Sequence, residues 1–225
     1  MMIISKIIEP LNRAMRDDVR STGLFDMDVI STFTVMAGKD YPSEPKQGFL
    51  FYGRATNGWD ETDHKPIEKI LKEQTFRPFF NLMYYLSWEF YGENWYNSIA
   101  WSNLCKLAPM KGGNPNDDLW FAQYPHMVSI IKKEVELLSP AVVVLITGNT
   151  AAARWDDPFF EAFPTLKNNE VRKVVWGNYR GKECTASLFV DGNLRVLVTD
   201  RPEARPINSH SQALLQLLQE SVLSI

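Results

Sequence analysis

The sequence predicts an α/β fold: three layers, α/β/α, around a central four-stranded, mainly parallel sheet. Two observations carry this expectation. Four short apolar segments (47–53, 98–103, 141–147 and 194–199) are separated by stretches with helical periodicity, the pattern of a parallel sheet covered by crossover helices. The third segment contains Val142, Val143, Val144, Leu145 and Ile146 with no polar alternation, which suits a strand buried on both faces.

The elements follow in order. Ile4, Ile7, Ile8, Leu11 and Met15 recur at helical spacing and predict an opening helix, which Pro10 is expected to bend or cut short. Val29 to Met36 suits a strand, followed by turn signals from Gly38 to Pro45. Pro66 to Leu71 and Pro78 to Tyr91 read as helices between the first two sheet strands. Met127, Ile130, Ile131, Val135 and Leu138 form an apolar stripe of a further helix, closed by Pro140. Asn149 suits a cap for a helix starting at Thr150. Val171 to Trp176 and Cys184 to Val190 read as an added hairpin. A closing helix is expected from near Ser209, where Ser209 and Gln212 have capping-box spacing.

The 225 residues suit one domain, 1–225, with 1–46 as an N-terminal helical or extended extension. A hydrophobic fraction of 45% excludes a disordered chain. No apolar run approaches the ~18 residues that span a bilayer. Lys6, Glu9 and Arg13 interrupt the apolar N-terminus and no small-residue cleavage site follows, so no secretory signal is expected. Two cysteines, Cys105 and Cys184, fill neither a Cys-rich zinc site nor a cluster, and they fit a reduced, cytoplasmic setting. The net charge of −3 argues against a broad grip on nucleic acid and leaves room for a local one. Arg172, Lys173, Arg180, Lys182, Arg201 and Arg205 concentrate in the C-terminal third, where a solvated face is the simpler reading.

Ligands of open parallel sheets sit outside the carboxyl ends of the strands. The first strand runs into Gly53, Arg54, Ala55, Thr56, Asn57, Gly58 and Trp59. The second ends at Asn103 with Lys106 beyond it, the third at Gly148 and Asn149, and the fourth at Asp200, Arg201 and Pro202. Asn103 is the strongest single candidate, because an amide at the end of an apolar strand needs partners and offers both a donor and an acceptor. Lys106 is expected at the surface, as is His210 in the first turn of the last helix. Tyr52, Trp59, Phe79 and Phe80 are possible stacking surfaces, with Phe79 and Phe80 more simply read as core. No metal set, phosphate loop or Ser-His-Asp signature is present, and no cofactor is called for.

The order of these tips resembles the uracil-DNA glycosylase superfamily over most of the chain from about Phe49 onward. Phe51 to Trp59 looks like a divergent form of its first motif, and Val143 to Asn149 looks like its third strand and loop. The resemblance implies a DNA glycosylase, a monomer acting on single-stranded or damaged duplex DNA. Asn103 would bind a flipped base, with Trp59 and Tyr52 beside it, and Gly53, Arg54, Ala55, Gly58, Asn149 and Asp200 would line the cleft. Two positions depart from the family. Ala55 stands where an Asp or Asn orients water, so Asn57 is ranked first as a substitute, ahead of Asp60, Glu61 and Asp200. Arg201 stands where His-Pro-Ser begins, and would stabilise the leaving base. The alternatives are a catalytically inactive module that binds nucleic acid or a nucleotide, and an enzyme acting on a free nucleoside.

Overall fold

The computed structural model describes residues 2–42, 47–56, 58, 66–148 and 154–222. The strands are β1 (Ile30–Thr32), β2 (Met36–Ala37), β3 (Phe49–Gly53), β4 (Ile99–Asn103), β5 (Leu107–Pro109), β6 (Val142–Ile146), β7 (Glu170–Tyr179), β8 (Lys182–Asp191) and β9 (Leu194–Thr199). The α-helices are α1 (Met2–Ser21), α2 (Ile67–Gln74), α3 (Pro78–Tyr91), α4 (Asp117–Leu138), α5 (Asp157–Ala162) and α6 (Ile207–Val222).

The fold is mixed α/β. Its main sheet has seven strands in the order β2-β4-β3-β6-β9-β8-β7, not the expected four. Parallel pairing joins β4 to β3, β3 to β6 and β6 to β9. Antiparallel pairing adds β2 at one edge and the β7–β8 hairpin at the other. The hairpin strands are each 10 residues long, so they join the sheet rather than decorate it. β7 is the far edge; its pairing with β8 is interrupted between Glu170 and Arg172 and between Val175 and Gly177.

Side chains alternate across a strand, and here alternation divides the core into two layers. Leu50, Tyr52, Ala100, Val143, Leu145, Val196 and Val198 pack with Ile8, Met15 and Val19 of α1, Ile130 and Ile131 of α4 and Phe159 of α5. Phe49, Phe51, Ile99, Trp101, Val142, Val144, Ile146 and Leu197 pack with residues of α2, α3 and α6 on the opposite face. Both faces of β6 are covered, which is why its sequence shows no polar alternation.

Three local expectations change. Helix α1 continues through Pro10, because Ile8, Met15 and Val19 are buried along one face of it. The Val29–Met36 segment is not one strand. β1 pairs with β5 in a separate two-stranded sheet, and β2 pairs with β4. Residues before 47 therefore supply a packed helix and two strands to the fold. Helix α6 begins at Ile207, two residues before Ser209. The cap proposed at Asn149 lies outside the described residues. Among the described residues no helix is long and apolar enough to cross a membrane.

Candidate functional site

The carboxyl ends of β3 and β4 lie side by side, with Gly53 directly opposite Asn103. A cavity of about 570 Å³ opens there, bounded by α2, the start of α3 and the segment after β9. That volume lies in the range of small-molecule sites.

Alternation decides which side chains reach it. Phe51, Gly53, Trp101 and Asn103 project toward the α2–α3 face, while Tyr52 and Ser102 project toward α4. Trp101 and Asn103 line the cavity. Asn103 is only 2% exposed, and its Nδ2 has no hydrogen-bond partner among the described residues. Gln74 at the end of α2 also lines the cavity, and its buried Oε1 likewise lacks a partner. An unpaired buried donor and an unpaired buried acceptor are each costly unless a ligand or water completes them.

The half-buried Phe79 ring stands next to Asn103, within ring contact of Phe80 (5.2 Å between centroids) and Trp101 (6.2 Å). Gly53 makes this juxtaposition possible. A Cβ there would stand 2.5 Å from Asn103 Oδ1 and 3.4 Å from the Phe79 ring.

Arg54 is built into the wall. Its Nε donates to the Thr147 carbonyl, and its guanidinium stands 5.0 Å from the Trp155 ring centre. Gly148 leaves room for it, since a Cβ at that position would stand 2.6 Å from Arg54 Nη2. Burial, then the neighbouring Arg201, lowers the Arg54 pKa to about 10, so it remains a cation at neutral pH. Arg201, also in the lining, donates from Nε to both carboxylate oxygens of Glu203 at 3.1 and 3.0 Å. Ala55 and Gly58 are in the lining, as expected.

Asp156, beside Arg54, accepts a 2.9 Å hydrogen bond from Thr147 Oγ1. Burial raises its pKa from 3.8 to about 6, against the opposing pull of that bond. A carboxyl whose folded pKa lies above its unfolded value favours the folded state when protonated. Stability from this group is complete below about pH 4 and is lost as pH rises through about 6. Asp156→Asn is expected to flatten the stability-versus-pH curve across that interval, measured by urea denaturation at several pH values.

Other expected site residues are placed elsewhere. Tyr52 is fully buried, and its hydroxyl donates to Glu134 Oε2 at 2.8 Å, so it turns away from the cavity. Asp200 is 4% exposed and accepts from the Thr185 backbone N–H at 2.8 Å, facing β8. Lys106 is not at the surface: it is 0% exposed, with Nζ 2.8 Å from both Glu134 oxygens and from Ser102 Oγ. His210 is also buried, stacked on Trp176 at 3.9 Å, with Nε2 2.7 Å from Thr199 Oγ1. Asn57, Trp59 and Asn149 lie outside the described residues. Gln74 and Arg77 are lining residues that the sequence did not single out; Phe79, named there as a stacking surface but more simply read as core, lines the cavity from the first turn of α3. Among the described residues no group of three His, Cys, Asp or Glu side chains stands where it would hold a metal ion. Compared by sequence with known proteins, the chain matches no protein-family model and no curated protein.

Proposed function

We propose that the chain is a uracil-DNA glycosylase-like enzyme that hydrolyses the N-glycosidic bond of uracil or another damaged base in DNA. The base would leave the helical stack and enter the cavity between Asn103 and Phe79. One observation carries this reading: the unpaired Asn103 Nδ2 lies beside an aromatic ring in a cavity at the strand ends. Asn103 Nδ2 donates to a carbonyl oxygen of the base, Gln74 Oε1 accepts from a ring N–H, and Phe79 stacks on the ring. That pairing of donor and acceptor matches an imide edge such as that of uracil.

In the reaction, water oxygen bonds to the sugar carbon as the bond to the base nitrogen breaks. The base leaves with the bonding electron pair and later takes a proton. Negative charge grows on its carbonyl oxygen, where a fixed donor lowers the barrier. Asn103 is that donor, and the Arg54 and Arg201 cations on the wall favour the same charge. The cavity wall at Ala55 supplies no group to orient the water. Asn57, which shares the turn with Ala55, is the first candidate by sequence, ahead of Asp60 and Glu61; Asp200 is occupied by Thr185.

The test is base release from short single- and double-stranded DNAs carrying uracil, hypoxanthine, xanthine or mismatches, with heat and alkali to reveal abasic sites. Release establishes the glycosylase. No release by folded protein, with binding to the same DNAs, establishes the second reading that Ala55 favours: a base-binding module that does not cleave. Gly53→Ala is a finer probe. Its Cβ forces Asn103 to move, and a displacement of ~1 Å in such a site costs about a hundredfold in rate. A Gly53→Ala protein with unchanged kcat/KM would remove Asn103 from the base-binding role.

A further inference from the structure

The β7–β8 hairpin is tied to the cavity by a chain of contacts that the reaction itself does not require. β9 ends at Thr199, opposite Ala186 of β8. Residues 182–185 of β8 therefore run on past the strand ends, by ~13 Å at about 3.3 Å per residue. The hairpin tip overhangs the end of the sheet at which the cavity opens.

The tip also lies on the cavity's face of the sheet. Tyr179 pairs across the hairpin with Lys182, so their side chains share a face. Two residues on, Cys184 belongs to the same core layer as the cavity-lining Phe80, Trp101 and Ile146. Tyr179 packs against that layer too. Its ring has the Arg180 guanidinium at 5.1 Å and the Arg205 guanidinium at 4.8 Å. Arg205 Nη1 in turn donates to the Arg201 carbonyl. Arg180 and Arg205 thus share one ring, and the row reaches the cavity wall at the backbone of Arg201, whose own guanidinium is held by Glu203.

The turn itself is unusual. Arg180 and Gly181 are its two central residues, with φ of 52° and 78°. Two-residue turns with positive φ at both positions favour Asn-Gly, Asp-Gly or Gly-Gly, because a larger side chain is strained there. Asn178 Oδ1 already accepts from the Gly181 N–H at 3.1 Å and supports the turn. Arginine at this position is a cost in stability that an asparagine would avoid. Strain held at one exposed residue points to a use for that residue. Arg180 and Lys182 are both exposed, and the acid that follows, Glu183, projects from the opposite face of β8.

We infer that Arg180 and Lys182 form an outer clamp on the sugar–phosphate backbone of the nucleic-acid strand whose base occupies the cavity, the row continuing inward through Arg205 to Arg201. This inference rests on the base-excision reading of the cavity. The guanidinium of Arg180 suits a phosphate, being planar, permanently charged and already oriented by the Tyr179 ring.

The experiment measures binding of a fluorescent duplex with an abasic-site analogue across a range of salt, with base release from a uracil-containing duplex measured in parallel. Arg180→Asn is expected to raise the melting temperature, because asparagine suits the turn. It is also expected to weaken binding roughly five- to tenfold at 0.1 M salt and to reduce the slope of log K against log salt by about 0.9, the loss of one phosphate contact. Arg180→Lys keeps the slope. If Arg180→Asn binds as tightly as the parent with the same slope, the clamp is overturned while base release by the parent leaves the cavity reading standing. If the parent neither binds the duplex nor releases its base, the cavity reading fails and the clamp fails with it.

Discussion

Asn103→Ala is expected to lower base release by about a hundredfold or more without loss of stability. Removing one fixed donor from a site where charge develops costs about 10²–10³ in rate. The expected stability change is what distinguishes this from ordinary damage. Asn103 is 2% exposed with an unpaired Nδ2, so the substitution removes an unsatisfied buried donor. Activity should fall while the urea midpoint stays level or rises. Base release is followed by alkaline cleavage of a labelled strand, and stability by urea denaturation of the same preparation. Unchanged release would show that the base, if bound, is recognised elsewhere. Release and midpoint falling together would assign Asn103 a structural role.

Lys106→Met is expected to produce the largest stability loss, about 3–5 kcal/mol, by breaking a fully buried ion pair. Lys106 and Glu134 are both 0% exposed, and Nζ contacts both carboxylate oxygens at 2.8 Å. Burial lowers the lysine pKa, and Glu134 beside it opposes that shift. Tyr52 and Ser102 donate to the same carboxylate at 2.8 and 3.1 Å, so the network joins β3, β4 and α4 beneath the cavity floor. Without the lysine, Glu134 is a buried carboxylate with its charge uncompensated. For a chain of this size the loss corresponds to a fall in melting temperature of roughly 10 °C. The double variant Lys106→Met/Glu134→Leu should recover much of it, since apolar packing often replaces a buried pair without penalty. A single variant with an unchanged urea midpoint would show that the pair contributes nothing to stability.

These two sites also show how much the sequence revealed. The apolar runs at 49–53, 99–103, 142–146 and 194–199 are strands, because residues covered on both faces leave a signal that local context does not erase. The tips were legible by the sheet rule, and Asn103, Gly53, Arg54, Ala55, Gly58 and Arg201 all line the cavity. Tyr52 was misplaced although the information was present. In a strand, Tyr52 must face opposite to Phe51 and Gly53, and Gly53 is the residue paired with Asn103. Lys106 and Glu134 were not legible, because they lie 28 positions apart and each alone reads as a surface charge. His210 was hidden similarly: its burial depends on Trp176, which a different part of the chain supplies. Phe79 reads as core from its helix, and only the missing side chain at Gly53 exposes its ring to the cavity. The seventh strand count was beyond reach because β2 is two residues long and carries no periodic signal.

The edges of the sheet have a consequence for how the protein behaves when crowded. An open sheet invites strand addition from a second chain at any flat, unpaired edge. At one end, β2 offers only Met36 and Ala37, too short a template to extend. At the other, β7 is long and carries exposed Val171 and Val175. Yet Arg172 and Lys173 stand between those valines, and two register shifts interrupt the regular ladder that an added strand would copy, as bulged edges do. Charge and broken register thus guard the long edge, and brevity guards the other. Loss of both basic residues would turn β7 into a nucleus for aggregation while the native fold stayed intact.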